Sequence, residues 1–188
     1  MGIFFTGKGD KGHSKVGKVK MDKSCVEAEV LGTLDELNSL LGLIKSQKEL
    51  PKDIKKHLEN VQEKLFIIQA HAAALIFKGK QTAKITTDHI KELEAIIEVL
   101  EKEIKPAKKF ILSGEHELAA WLDYARAVSR KVEREVVRFK KTLRRGSGRA
   151  TVSPETIAFL NRLSSFLFAL ARSEMKKSGK KEKHPSYK

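Results

Sequence analysis

The stretch FFTGKGDKGHSKVG, Phe4 to Gly17, decides between two folds. Gly7 and Gly12 are four residues apart and Ser14 follows two later. That is the skeleton of the phosphate loop G-x-x-x-x-G-K-[ST], except that His13 stands where the lysine belongs. Such a loop joins a strand to a helix in a βαβ sheet. The only strand candidate here is the short run IFF at 3–5, and everything after it reads as helix. The stretch is therefore not the loop of an α/β nucleotide-binding fold. Its glycines still permit positive φ and close backbone approach, and Lys8, Lys11 and Lys15 add charge, so phosphate binding stays open. So does the plainer reading of a flexible basic N-terminus.

Downstream, apolar residues recur at three- and four-residue steps. Residues 25–47 place Val30, Leu34, Leu37, Leu41 and Ile44 on one stripe. A second helix opens at Pro51 and runs to about Phe77, with Ile54, Leu58, Val61, Leu65 and Ile68 inward. Thr87 is placed to cap a third helix. After the break PAKKFILSGEHE, a fourth helix spans roughly 115–142 and turns Leu122, Ala125, Val128, Val132 and Val136 inward. RRGSGRAT reads as a linker. Ser153-Pro154-Glu155 then combines a cap, a first-turn proline and an acid on the helix dipole, and opens a fifth helix ending near Lys176. Five long helices with short connections predict an all-α, five-helix antiparallel bundle in a single domain, 1–176, carrying a glycine-rich N-terminal loop. Residues 177–188 are dense in lysine and poor in apolar surface, which predicts a disordered, dispensable tail.

With 188 residues and one cysteine, Cys25, the chain has no internal disulfide, which predicts a cytoplasmic, reducing home. No apolar run has the length of a membrane span. The net charge of +14 is concentrated in residues 1–23, 139–152 and 176–188, the start, the linker and the tail. Such segments attract polyanions, either nucleic acid or a phosphate-bearing small molecule. A di-metal bundle would need Glu-x-x-His pairs. The residues three before His57, His71, His89 and His116 are Ile54, Ile68, Thr86 and Ser113. No metal ligands are assigned.

The fourth helix aligns Arg126, Arg130, Glu133 and Arg134 on one face. In an isolated helix such a row is more commonly a solvated, salt-bridged surface. Asp35 and Asn38 interrupt the apolar stripe of the first helix, and Asn161 and Arg162 that of the fifth. Asparagine is a poor helix-interior residue, so these positions suggest polar partners across the bundle.

Taken together, TGKGDKGHS, VLGTLDELNS, FILSG, ARAVSRKVERE and FLNRLSSFLFALAR, in that order and spacing, resemble the PduO-type ATP:cob(I)alamin adenosyltransferases from Thr6 to Glu174. The resemblance implies transfer of the 5′-deoxyadenosyl group of ATP to the cobalt of cob(I)alamin, with release of triphosphate and help from Mg²⁺ held mainly through the ATP phosphates. It implies a homotrimer with sites at subunit interfaces, and a reductase or cobalamin-dependent acceptor enzyme as possible partners. It assigns ATP binding to Thr6, Gly7, Lys8, Gly9, Ser14, Lys15, Lys23, Arg130, Lys131, Glu133, Arg134 and Asn161. Asp35 and Arg126 would form an intersubunit ion pair near the reaction, and Phe110 would face the corrin. Where most relatives carry Pro-Gly-Gly after FIL, this chain has Ser113-Gly114-Glu115-His116. Two other functions are weighed: an ATP-binding relative without corrinoid chemistry, and a basic helical nucleic-acid-binding module. Aromatic residues at 6% and the lack of a helix-turn-helix or stacking motif speak against nucleic acid.

Overall fold

The computed structural model describes residues 4–5, 7–16, 19–80, 83–104, 109–145 and 151–187. Among these residues five helices form: α1 (Val26–Lys45), α2 (Lys52–Phe77), α3 (Thr87–Ile104), α4 (Glu117–Arg145) and α5 (Pro154–Lys177). They are preceded by a two-stranded hairpin, β1 (His13–Val16) and β2 (Val19–Asp22).

Two pairs across an interface fix its direction. Lys45–Glu59 and Asn38–Gln62 run α1 and α2 antiparallel, Glu133–Asn161 and Asp123–Arg172 run α4 and α5 antiparallel, and Lys131 meets Glu36 between α4 and α1. Along α3 and α5, Arg162 pairs with Glu94 and Lys176 reaches the Glu103 carbonyl, so these two helices run parallel. The most extensive packing joins α4 to α5, α1 to α4, α3 to α5 and α1 to α2.

The stripes read from periodicity form the core. All five α1 residues of the stripe are fully buried, and their counterparts on α2 and α4 are buried as well. Phe139, Phe159 and Phe166 fill the centre. Burying one such side chain stabilises the fold by about 1.5–3 kcal/mol, which is why the 3.6-residue pattern alone located the core.

Local chemistry sets the helix ends. Ser153 Oγ accepts the Thr156 amide proton at 3.2 Å, capping α5 as the sequence predicts. Pro51 stands at the N-cap of α2 rather than inside it, and Thr87 is the first residue of α3 rather than its cap. His89 Nδ1 accepts from the Thr86 amide at that end. α2 closes on Lys78 in the left-handed conformation, φ 55°, whose amide donates to the Ala74 carbonyl.

Two expectations are corrected. The first is the absence of strands after residue 5. β1 and β2 pair antiparallel in the register His13–Asp22, Ser14–Met21, Lys15–Lys20 and Val16–Val19. HSKV and VKMD are too short and too polar to show a period, so backbone pairing carries them. The second is the disordered tail from residue 177. α5 ends at Lys177, and the chain then folds back along the segment preceding α4. The Leu112 amide donates to the Lys183 carbonyl at 2.8 Å, and His184 Nδ1 lies 2.8 Å from the Phe110 carbonyl. Composition reports how little apolar surface a tail can bury, not the carboxylates and carbonyls waiting for it elsewhere. The linker glycines, Gly146 and Gly148, lie outside the described residues.

Candidate active site

An open cleft of about 580 Å³ lies between α4, α5 and the segment preceding α4. That is a ligand-sized space. Arg126 and Arg130 of α4, Phe168 and Ser164 of α5, and Phe110 line it. The two arginines are one helical turn apart and so reach the same side. Phe110 is 78% exposed, which excludes a role as a core plug. The guanidiniums of Arg126 and Arg172 lie 5.8 Å and 5.2 Å from the Phe168 ring centroid, within cation–π range. The cleft thus combines aromatic walls with fixed positive charge.

Behind it runs a buried polar chain. Asp123, on the core side of α4, takes a hydrogen bond from Ser113 Oγ at 2.9 Å. It also pairs with Arg172, and its other oxygen lies 3.5 Å from Arg126 Nε. Arg172 is only 4% exposed and reaches Glu182 of the C-terminal segment at 2.8 Å. Asp123 thereby sits between two cations, one in the core and one in the cleft.

The N-terminal glycine stretch folds into consecutive turns. The Asp10 amide donates to Gly7 and the Gly12 amide to Gly9. Gly7 and Gly12 take φ of 66° and 74°, the left-handed region that glycine adopts without strain. The Lys23 amide closes the loop on the Gly12 carbonyl at 2.9 Å, and its ammonium lies over Gly9, where a Cβ would come within 2.9 Å of it. Lys15 and Lys20 stand directly opposite each other in the hairpin, a like-charge pair that an anion would relieve. Successive strand residues face opposite sides, so the hairpin turns Ser14 and Lys15 apart rather than toward one phosphate. The Asp22 carboxyl is held below its ordinary range by the Ser24 hydroxyl and amide that donate to it.

The other predicted residues fall as follows. Asn161 Nδ2 donates to Glu133 Oε1 at 3.1 Å, a polar link across α4 and α5 of the kind the misplaced asparagine suggested. Lys131 donates to Glu36 at 2.9 Å, and that contact raises the lysine above its ordinary value. Arg134 and Asp35 are exposed on α4 and α1. Asn38 stays on the α1–α2 side, where its backbone carbonyl accepts from Gln62 at 3.0 Å, while its buried side-chain Oδ1 has no hydrogen-bond partner among the described residues. Within one protomer the acid beside Arg126 is Asp123, not Asp35. Thr6 lies outside the described residues. Among the described residues, no group of three or more His, Cys, Asp or Glu is placed to hold a metal.

The family model for cobalamin adenosyltransferases matches residues 4–174, across both the loop and the cleft. The chain belongs to the cobalamin adenosyltransferase family. It is 32% identical over 178 residues to the corrinoid adenosyltransferase of Bacillus subtilis, covering 93% of this chain and 88% of that one. It is 34% identical to the corrinoid adenosyltransferase PduO of Citrobacter freundii, covering 82% of this chain but 44% of that longer protein. Among solved structures it resembles a variant PduO-type ATP:corrinoid adenosyltransferase from Lactobacillus reuteri complexed with cobalamin and ATP. There the TM-score is 0.82 at 27% identity, over 97% of this chain and 99% of that one.

Against this adenosyltransferase frame, sequence reasoning missed Asp123, Phe168, Arg172 and Glu182. Arg172 carried a usable signal: a charge among Leu167, Leu170 and Ala171 on a buried face requires a partner. Asp123 carried the matching one, three residues before Arg126. The run 113–116 is held by local contacts. Ser113 binds Asp123, Gly114 takes φ 129°, Glu115 pairs with Lys183, and His116 Nδ1 faces the Ala119 amide at the start of α4.

Proposed function

We propose that this chain transfers the 5′-deoxyadenosyl group of ATP to the cobalt of cob(I)alamin, giving adenosylcobalamin and triphosphate. The observation that carries the reading is the cleft itself: an exposed aromatic, Phe110, stands beside the aligned cations Arg126 and Arg130 in a chain of this family. Cob(I)alamin is the nucleophile of the reaction. Its cobalt supplies the electron pair of the new Co–C bond, while the C5′–O bond of ATP breaks and the triphosphate leaves with its electrons. The protein therefore needs no nucleophile–base pair. It must hold C5′ in line with cobalt and stabilise charge on the leaving group. Arg130, Arg134 and the lysines of the glycine loop supply that positive charge, and the Glu133–Asn161 link fixes the α4 face. Phe110 and Phe168 give the corrin side an apolar wall that excludes water once the corrin covers it.

Mg²⁺ would ride on the ATP phosphates. A homotrimer is the assembly that would place exposed Asp35 of one subunit against Arg126 of the next. Among the described residues no helix is long and apolar enough to cross a membrane. A cytoplasmic setting with a separate cobalt reductase suits the chemistry. The test is direct. The protein is incubated with ATP, Mg²⁺ and chemically reduced cobalamin, and the corrin absorption spectrum is followed. Conversion to the adenosylated spectrum is expected, and an unchanged spectrum with a folded, ATP-binding protein would overturn the reading.

A further inference from the structure

Arg172 is an anomaly in α5. It is almost fully buried, yet α4 provides it with one carboxylate, Asp123, which also faces Arg126 and accepts from Ser113. The second carboxylate comes from beyond the end of the helix: Glu182, 2.8 Å from Arg172 Nη1. Two arginines and two carboxylates then balance in one cluster, with Arg172 and Asp123 buried at its centre and Arg126 and Glu182 half-buried at its ends. Removing one member would leave a charge uncompensated in a poorly solvated place.

The same C-terminal segment holds the stretch that carries Phe110. Its Lys183 carbonyl takes the Leu112 amide, and His184 approaches the Phe110 carbonyl. The Lys180 and Lys183 ammonium groups reach the Glu115 carbonyl and carboxylate, each at 2.8 Å. Glu115 and Ser113 belong to the run 113–116, so that run, Asp123 and the tail meet in one contact set.

We propose that Glu182 is a positioning residue for the corrinoid side of the site. By pairing with Arg172 it docks residues 180–184 onto 110–115, and so fixes where Phe110 stands relative to the Arg126–Phe168 wall. The proposal rests on the reading above for what the cleft binds, but the docking itself is independent of it. Glu182 is not among the residues that line the cleft, and it acts through Arg172 and the Leu112–Lys183 pairing. An electrostatic device suits this place because the tail has almost no apolar surface with which to hold itself down.

The test uses the full chain carrying Glu182→Gln and, separately, Glu115→Gln. Amide hydrogen exchange reads the docking directly. In Glu182→Gln, exchange at Leu112 and across 110–115 should rise at least tenfold while the α1 and α4 core amides keep their protection. ATP affinity should stay within about twofold, and corrinoid affinity should fall several-fold. Glu115→Gln, which removes a more exposed pair, should show the same pattern more weakly, and Glu182→Asp should restore part of the protection. Unchanged protection at Leu112 in a normally folded variant overturns the proposal. So does a parallel loss of core protection, ATP affinity and corrinoid affinity, because that marks Glu182 as merely structural. If the wild-type protein fails to adenosylate cobalamin, the functional reading fails, while the exchange measurement still decides whether Glu182 docks the Phe110 segment.

Discussion

Phe110→Ala separates a site aromatic from a core one by magnitude. A phenylalanine contributes on the order of 200 Å² when fully buried. At 78% exposure, Phe110 has withdrawn only roughly a fifth of that from water. At ~25 cal/mol per Å² the truncation forfeits about 1 kcal/mol, against 3–5 kcal/mol for a phenylalanine cut from a packed core. The variant should therefore fold with a urea midpoint close to wild type and bind ATP normally. Its defect should lie in the reaction. An axial donor to cobalt raises the orbital that receives the electron on reduction to cobalt(I), and an apolar group on that face excludes the donor and eases reduction. Adenosylation started from cob(II)alamin with a mild reductant should drop by tenfold or more, about 1.4 kcal/mol of barrier. Started from cob(I)alamin already reduced, it should drop far less. Two assays check this, chemical denaturation and corrin spectroscopy under the two starting conditions. A loss of 3 kcal/mol or more in stability, or equal losses under both conditions, would refute the argument.

Arg130→Ala removes an exposed cation from the cleft, so the fold should be intact. A charge-assisted contact to phosphate is worth about 1.5–3 kcal/mol, and calorimetry should find ATP bound roughly ten- to a hundredfold more weakly. Sedimentation should find a trimer, and Asp35→Ala should loosen it; an active wild-type monomer would remove the intersubunit role of Asp35 and Arg126. Buried His71 is pushed below its ordinary value of 6.5, chiefly by desolvation and secondarily by Lys84. The unfolded chain then binds the proton first, so this histidine's contribution to stability is present above about pH 6.5 and is lost as pH falls toward its folded value. His71→Gln should show a smaller fall in denaturation midpoint between pH 7.5 and 5.5 than wild type, and an equal fall would exclude His71 as the source.

The five helices, the inward faces of α1, α2 and α4 and the cap of α5 were legible in the sequence. Burial of apolar stripes and the Ser153 cap are local or periodic effects, written into spacings of three and four residues. Motif order also placed the chain in its family, and the out-of-place Asn161 announced a polar partner. Only the tertiary structure decided three other matters. The hairpin at 13–22 is held by backbone pairing between polar strands, so it turns Ser14 and Lys15 to opposite faces without any signature in side-chain pattern. Phe110 reads identically in sequence whether it plugs a core or walls a cleft, because exposure depends on what packs over it. The C-terminal lysine run looks too polar to order. It is held by Arg172, which pairs with Glu182 of the tail and with Asp123 of α4, and by Glu115, which pairs with Lys183; a pairing across that separation is fixed by the packing of α4 on α5 and leaves no local trace.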